Sequence, residues 1–469
     1  MTETSLLGLR TVTSSAHRGT GQPVKMPVRA PHSTRRIWQG LGAIAIAASL
    51  VGGCVNTKYR TGAPAQSFVA ADEPRAAEIG RDIIAQGGKA GDAATAMAMA
   101  MAVTLPSRVG MTGGGVCVVF DAARKETRTL DFLPRPTGVG GAALPGFLRG
   151  VYALQASTGA MRWEQAVVPA EQLARSTPVS RALARDLADS ATRLSADPEA
   201  RRVFLPAGAP LAEGAPLSQP ELAASLSQVR RSGIAAMYGG PLGGAVAQAA
   251  AIDPTTVRGF QPRWTGTAAI PLGIVSMHFA QLPETNNGAA LTAAWNAAAD
   301  LPPDQRAARV AQTLGATGNG ASAPGAGLVV IDHEENGVAC SFTMGAPFGS
   351  GRMVPGTGLL AARGVDGAGF GAPALLTNAI VGRTQFAGAA SAAGNDGPAA
   401  APAALLTAAL PAALDKEPGA AIRVSRAASG PGRATFVTCQ TSMESGWKEC
   451  QVAADPRAHA LGILVETER

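Results

Sequence analysis

Aromatic residues are few: 4% of the 469 residues, with three tyrosines among them. The core expected from this composition rests on small residues in close helix contact, not on packed rings. Histidine is equally sparse. His17, His32, His278, His333 and His459 never approach one another in sequence, and no Cys-x-x-Cys occurs. The ligand spacings of common zinc sites are therefore missing, and no metal or cofactor is expected. Long apolar runs are missing too. The one candidate, Gly40–Gly52, is too short for a comfortable transmembrane helix. The net charge of +7 does not describe the whole chain. Residues 1–53 carry six Lys and Arg residues and one acid, and the remainder holds 34 basic against 32 acidic residues. Nothing in that balance points to a nucleic-acid partner.

What is present is apolar content of 46%, enough for a large core, together with 57 glycines and 33 prolines. Residues 1–53 read as an export signal, with Arg35-Arg36 ahead of the apolar run and Cys54 after it. Leu50-Val51-Gly52-Gly53-Cys54 is similar to a bacterial lipobox, in which small residues precede a cysteine that becomes lipidated and N-terminal. A plain secretory signal and a short uncleaved anchor are the alternatives. Ser33-Thr34-Arg35-Arg36 hints at the twin-arginine route. A lipidated Cys54 would anchor the chain to a membrane in the cell envelope, facing the periplasm. Residues 54–75 then read as a polar tether.

Export permits disulfides. Cys439 and Cys450 flank a ten-residue stretch that reads as a hairpin, and they are candidates for a bridge. The alternative is two unpaired strand thiols. Cys117 and Cys340 sit in apolar strand runs and read as core residues.

Spacing predicts a helix over Glu73–Gln86, with Ala77, Ile79, Ile83 and Ile84 on one face and Gly87-Gly88 as its stop. Ala93–Leu105 is apolar all round and reads as a buried helix, with Asp92 near its positive end. A Gly113-Gly114-Gly115 turn opens a hairpin of Val116–Phe120 and Thr127–Phe132. Leu328–Ile331 and Gly337–Phe342 form a second hairpin around an Asn336-Gly337 turn signal. Two glycine-rich turns follow, Phe348-Gly349-Ser350-Gly351 and Pro355-Gly356-Thr357-Gly358.

The second hairpin and its two turns resemble the start of the small subunit of γ-glutamyltransferases. The string Gly87-Gly88-Lys89-Ala90-Gly91-Asp92-Ala93-Ala94 is similar to that family's Gly-Gly-Asn-Ala-Val-Asp-Ala-Ala signature. Further islands follow in the family's order: Leu144–Gly150, Trp163 with Pro169-Ala170, Met237-Tyr238-Gly239-Gly240, and Asp455-Pro456-Arg457 with Gly462. The resemblance implies the N-terminal-nucleophile (Ntn) hydrolase fold, an α+β sandwich of four layers, αββα. It implies one integrated domain, with 76–324 matching the large subunit and 325–469 the small one. In the family a threonine heads the first small-subunit strand. The precursor cuts itself before that threonine, whose own amine then activates its hydroxyl.

Here Gly325 stands at that position, followed by Ala326 and Gly327. The nearest candidate nucleophile is Ser322. Leu133 stands where the family's arginine grips the substrate carboxylate, and Arg135 is the nearby guanidinium that a shifted loop would present. Ala374-Leu375 replace a serine pair, and the oxyanion glycines map near Gly388-Ala389-Ala390. Asp366 matches the aspartate that receives the substrate's ammonium, and Arg363 replaces a nearby glutamine. The resemblance therefore implies a member with a degenerate site, uncleaved and binding a peptide or γ-glutamyl ligand. The alternative is an active γ-glutamyl hydrolase or transferase with Ser322 as a displaced nucleophile. The stretch 387–420, rich in Ala, Gly and Pro, is either a linker or holds a buried helix at Ala401–Leu414.

Overall fold

The computed structural model describes residues 65–282, 287–302, 325–365, 372–391, 433–441, 448–453 and 459–467, with single positions between 305 and 313. The strands of its two large sheets are β1 (Ala65–Ala71), β2 (Gly114–Asp121), β3 (Glu126–Asp131), β4 (Arg263–Thr265), β5 (Thr267–Leu272), β6 (Val275–Ala280), β7 (Gly325–Ile331), β8 (Gly337–Thr343), β9 (Ala372–Asn378), β10 (Arg383–Ser391), β11 (Arg433–Thr441), β12 (Lys448–Ala453) and β13 (Leu461–Thr467). The first sheet has seven strands in the order β13-β1-β7-β8-β2-β3-β4, and the second has six, β12-β11-β10-β9-β6-β5. From residue 65 onward the described residues form one compact unit.

Alternation along the strands assigns the two faces of the first sheet. Phe68, Val118, Phe120, Val329 and Ile331 point to the second sheet, where they meet Leu375, Ala387, Ala389 and Val437 in a buried cluster. Leu328, Val330, Val338 and Cys340 point the other way, into a core shared with helices α1 (Pro74–Ala85) and α2 (Ala90–Thr104). Helix α3 (Asn287–Ala297) covers β5 and β6 on the outer face of the second sheet. The layers are therefore α, β, β, α. The candidate helix Ala401–Leu414 lies outside the described residues.

Helix α1 starts where Glu73 caps it, its Oε2 accepting from the Ala76 N–H at 3.0 Å, with Pro74 in the first turn. Helix α2 is buried along its whole length, as an all-apolar pattern requires. The two cross closely at Gly80, where an added Cβ would lie 2.5 Å from Met97 Sδ. Small residues do set the helix contacts, as the scarcity of aromatics implied.

Three expectations need correction. The tether gives way at residue 65: β1 is a central strand between β13 and β7, with Phe68, Val69, Ala70 and Ala71 buried. Its polar residues misled because a central strand of this sheet is buried on both faces, and Ser67 is buried with the rest. The β7–β8 turn is not an Asn-Gly turn. Its left-handed residue is Glu335, at φ 72°, and Gly337 already belongs to β8. Asp332 organises the turn instead, its Oδ1 accepting from the N–H groups of Glu334 and Asn336 at 3.0 Å. Third, Cys117 and Cys340 are buried core residues, but they are also bridged, tying β2 to β8 across 223 positions. Cys439 and Cys450 are bridged as well, facing each other across β11 and β12.

Candidate functional site

The head of β7 is where the second half of the chain would carry chemistry. Gly325 lies opposite Thr343 of β8, and Thr343 lies opposite Gly114 of β2. All three are buried. A Cβ on Gly325 would come within 2.6 Å of the Phe342 carbonyl oxygen, closer than real Cβ atoms approach. The strand head therefore lacks a side chain and lacks room for one. The Thr343 hydroxyl beside it accepts from the Gly345 N–H at 2.9 Å. Gly345, at φ 76°, allows the loop after β8 to pass against the Arg363 carbonyl, where a Cβ would sit 2.2 Å away.

The segment returning past this point is held by its backbone. Arg363 N–H donates to Met344 O at 2.9 Å, Gly364 N–H to Gly141 O at 3.1 Å, and Val365 N–H to Pro134 O at 2.9 Å. The Arg363 side chain is exposed and runs alongside Gly141. It lies close enough to Arg193 to hold that guanidinium below its ordinary pKa, after burial, which is the larger cause. Arg193 itself donates to Pro347 O and leaves its Nε buried without a partner. Two cations thus share this edge.

Past the end of β3, Leu133 is fully buried and packs with Val116 and Leu282, with Val365 against them. Arg135 does not take its place. Its Nη2 donates to Asp131 Oδ2, which also accepts from Arg263 Nη2 at 2.7 Å. Asp131 is wholly buried, so the shifted guanidinium is held by a structural ion cluster. At the matched positions the second sheet offers small or apolar residues. Ala374 pairs with Gly388, Leu375 lies in the intersheet core, and Ala389 abuts Gly327, whose added Cβ would lie 2.7 Å from the alanine's. Ser322, Asp366 and Cys54 lie outside the described residues.

Sequence reasoning missed Asp72, which it placed in the tether. Asp72 Oδ2 accepts from Gly327 N–H at 2.8 Å and Oδ1 from Thr435 Oγ1 at 2.7 Å. Burial pushes its pKa up against the opposing pull of those hydrogen bonds. The only sequence signal was an acid at the end of an apolar run. Among the described residues, no three His, Cys, Asp or Glu side chains gather as metal ligands.

Comparison with solved structures recovers the same layering. A cephalosporin acylase from Bacillus halodurans superposes with a TM-score of 0.66 over 85% of this chain and 96% of that one, at 16% identity. The fold is that of the N-terminal-nucleophile hydrolases. The sequence narrows this further. The γ-glutamyltranspeptidase family model matches residues 76–259, and over that stretch the chain is similar to the family. The glutathione hydrolase proenzyme of Bacillus subtilis (strain 168) is 33% identical over 197 residues, covering 37% of this chain and 33% of the relative. The acylase ACY 1 proenzyme of Pseudomonas sp. (strain V22) is 33% identical over 209 residues, covering 39% of this chain and 38% of the relative. The matches thus span little more than a third of these relatives' length.

Proposed function

We propose that this chain is a membrane-tethered envelope member of the family that stays in one piece and performs no γ-glutamyl transfer, its fold kept as a binding or structural module. One observation carries the reading: the head of β7 is a glycine against the Phe342 carbonyl, with no hydroxyl or thiol and no space for one. An N-terminal nucleophile needs both the side chain and its freed amine. The surroundings agree. Leu133 is sealed in an apolar cluster, Arg135 is held by Asp131, and the facing strands offer Ala374 and Ala389. Two bridged cysteine pairs suit an oxidising compartment, in keeping with an export signal ending at Cys54. The exposed Arg363 beside Arg193 favours a ligand bearing carboxylates, such as an acidic peptide or a γ-glutamyl compound.

The test is turnover of a γ-glutamyl anilide by the purified mature chain. No release above buffer is expected. Release that Ser322→Ala abolishes would overturn the reading in favour of a displaced nucleophile. Mass analysis of the N-terminal peptide tests the anchor separately, with a lipidated Cys54 expected and a different first residue contradicting it.

A further inference from the structure

The end of the sandwich opposite Gly325 is built differently from the site end. Four hairpin turns meet there: β2–β3, β5–β6, β7–β8 and β9–β10. Their proximity is fixed by contacts. Lys125 Nζ donates to Ile380 O at 2.7 Å, joining the first turn to the last, and Thr384 Oγ1 donates to Glu335 O at 2.8 Å, joining the last to the β7–β8 turn. Ser276 at the start of β6 lies opposite Thr377 near the end of β9, which brings the β5–β6 turn alongside. Three large aliphatic side chains project from these turns into solvent: Ile274 is 72% exposed, Ile380 70% and Val381 58%. Single exposed aliphatics are ordinary; three at adjoining tips are a patch of the kind that marks an interface.

The chain's own path indicates what covers it. Strand β1 runs antiparallel to β7, with Phe68 opposite Ile331, the last residue of β7. Ala65 therefore lies beyond the end of β7, at the same end as the exposed tips. Only residues 55–64 separate it from Cys54. Ten residues reach at most about 35 Å when fully extended. A lipid on Cys54 would therefore tether the sandwich from this end, where the strand that follows the tether begins.

We propose that this end of the sandwich docks on a lipid bilayer, with Ile274, Ile380 and Val381 inserted at the headgroup boundary. The proposal rests on the tethered reading for its orientation. Insertion is apolar rather than electrostatic. Among the neighbouring cations, Arg124 pairs with Asp121 and Lys89 with Glu334 at 2.7 Å, and Lys125 donates to the Ile380 carbonyl. Zwitterionic lipid should therefore suffice, with little dependence on salt. The Gly325 end then faces away from the membrane, open to soluble ligands.

The experiment places a tryptophan at each end of the full mature chain, in Ile380→Trp and Val139→Trp, and reconstitutes each in phosphatidylcholine vesicles with brominated acyl chains. Val139 is 46% exposed and lies in the loop crossed by Arg363, at the Gly325 end. Relative to the parent chain, the added emission at 380 should fall roughly twofold or more in brominated lipid, and that at 139 should not. Adding Ile274→Asp and Val381→Asp to Ile380→Trp should restore the emission. Equal quenching at both positions, or none at 380, would overturn the proposal. Failure of the anchor is read independently, from the mass of the N-terminal peptide. Quenching at 380 in a chain without lipid would still uphold insertion.

Discussion

The starts of α2 and β7 are both buried, both glycine-bordered and both places where the family resemblance names particular residues. At the start of α2 the named residue is present and fully employed. Asp92 accepts from Lys89 N–H and Gln155 Nε2 at 3.0 Å, and from the N–H groups of Ala160 and Met161 at 2.7 and 3.0 Å. It stitches the helix start to the loop after residue 158. At the start of β7 the residue is Gly325, with the Phe342 carbonyl against it. The first is a scaffold position and the second a chemical one. The family model matches through the first region, while the second is a paired strand headed by a glycine.

This contrast can be broken or sharpened in several ways. The largest effect should come from the bridge that joins the two segments. Replacing Cys117 and Cys340 together by serine frees a loop of 223 positions and should cost up to about 5 kcal/mol. A fall in denaturant midpoint measures it, and an unchanged midpoint would mean that the bridge adds nothing. Asp92→Ala should cost about 3–5 kcal/mol, because it strands several buried N–H groups at once. A variant as stable as the parent would remove Asp92 from its scaffold role.

His278 offers a pH readout away from both regions. Burial lowers its pKa to about 4 from an ordinary 6.5, and its Nδ1 lies 2.8 Å from Thr267 Oγ1. The folded chain therefore binds fewer protons than the unfolded chain between those values. Stability from this group is present above pH 6.5 and lost as pH falls towards 4, by about 3 kcal/mol in full. His278→Gln should flatten that part of the melting-temperature profile; parallel profiles would contradict the assignment. The smallest effect should be at the strand head. Gly325→Ala pushes a methyl group onto the Phe342 carbonyl and should cost about 1–3 kcal/mol, read by the same denaturant titration. A neutral substitution would show that the strand head had room after all.

The elements legible in the sequence were those with local signals. The buried helix α2 followed from an unbroken Ala and Met pattern, and both hairpins of the first sheet from apolar runs bounded by turn residues. The position of Gly325 at the head of a strand was legible as well, because an apolar run and two glycine turns fixed the register. What stayed hidden was decided by partners far away in sequence. Ser67 and Gln66 look like linker residues until β13 and β7 flank them. Arg135 looked available because Arg263 and Arg135 meet on Asp131 only in the folded chain. Cys117 and Cys340 face each other through the pairing of β2 with β8, which no local pattern announces.

The most direct test of the central claim is the intact mass of the mature chain, purified from its native host and measured after reduction. Reduction matters, because the Cys117–Cys340 bridge would hold two fragments together if the chain were cut between them. The account predicts one species carrying residues 54–469 and its lipid. Two species dividing anywhere between residues 316 and 326 would contradict it.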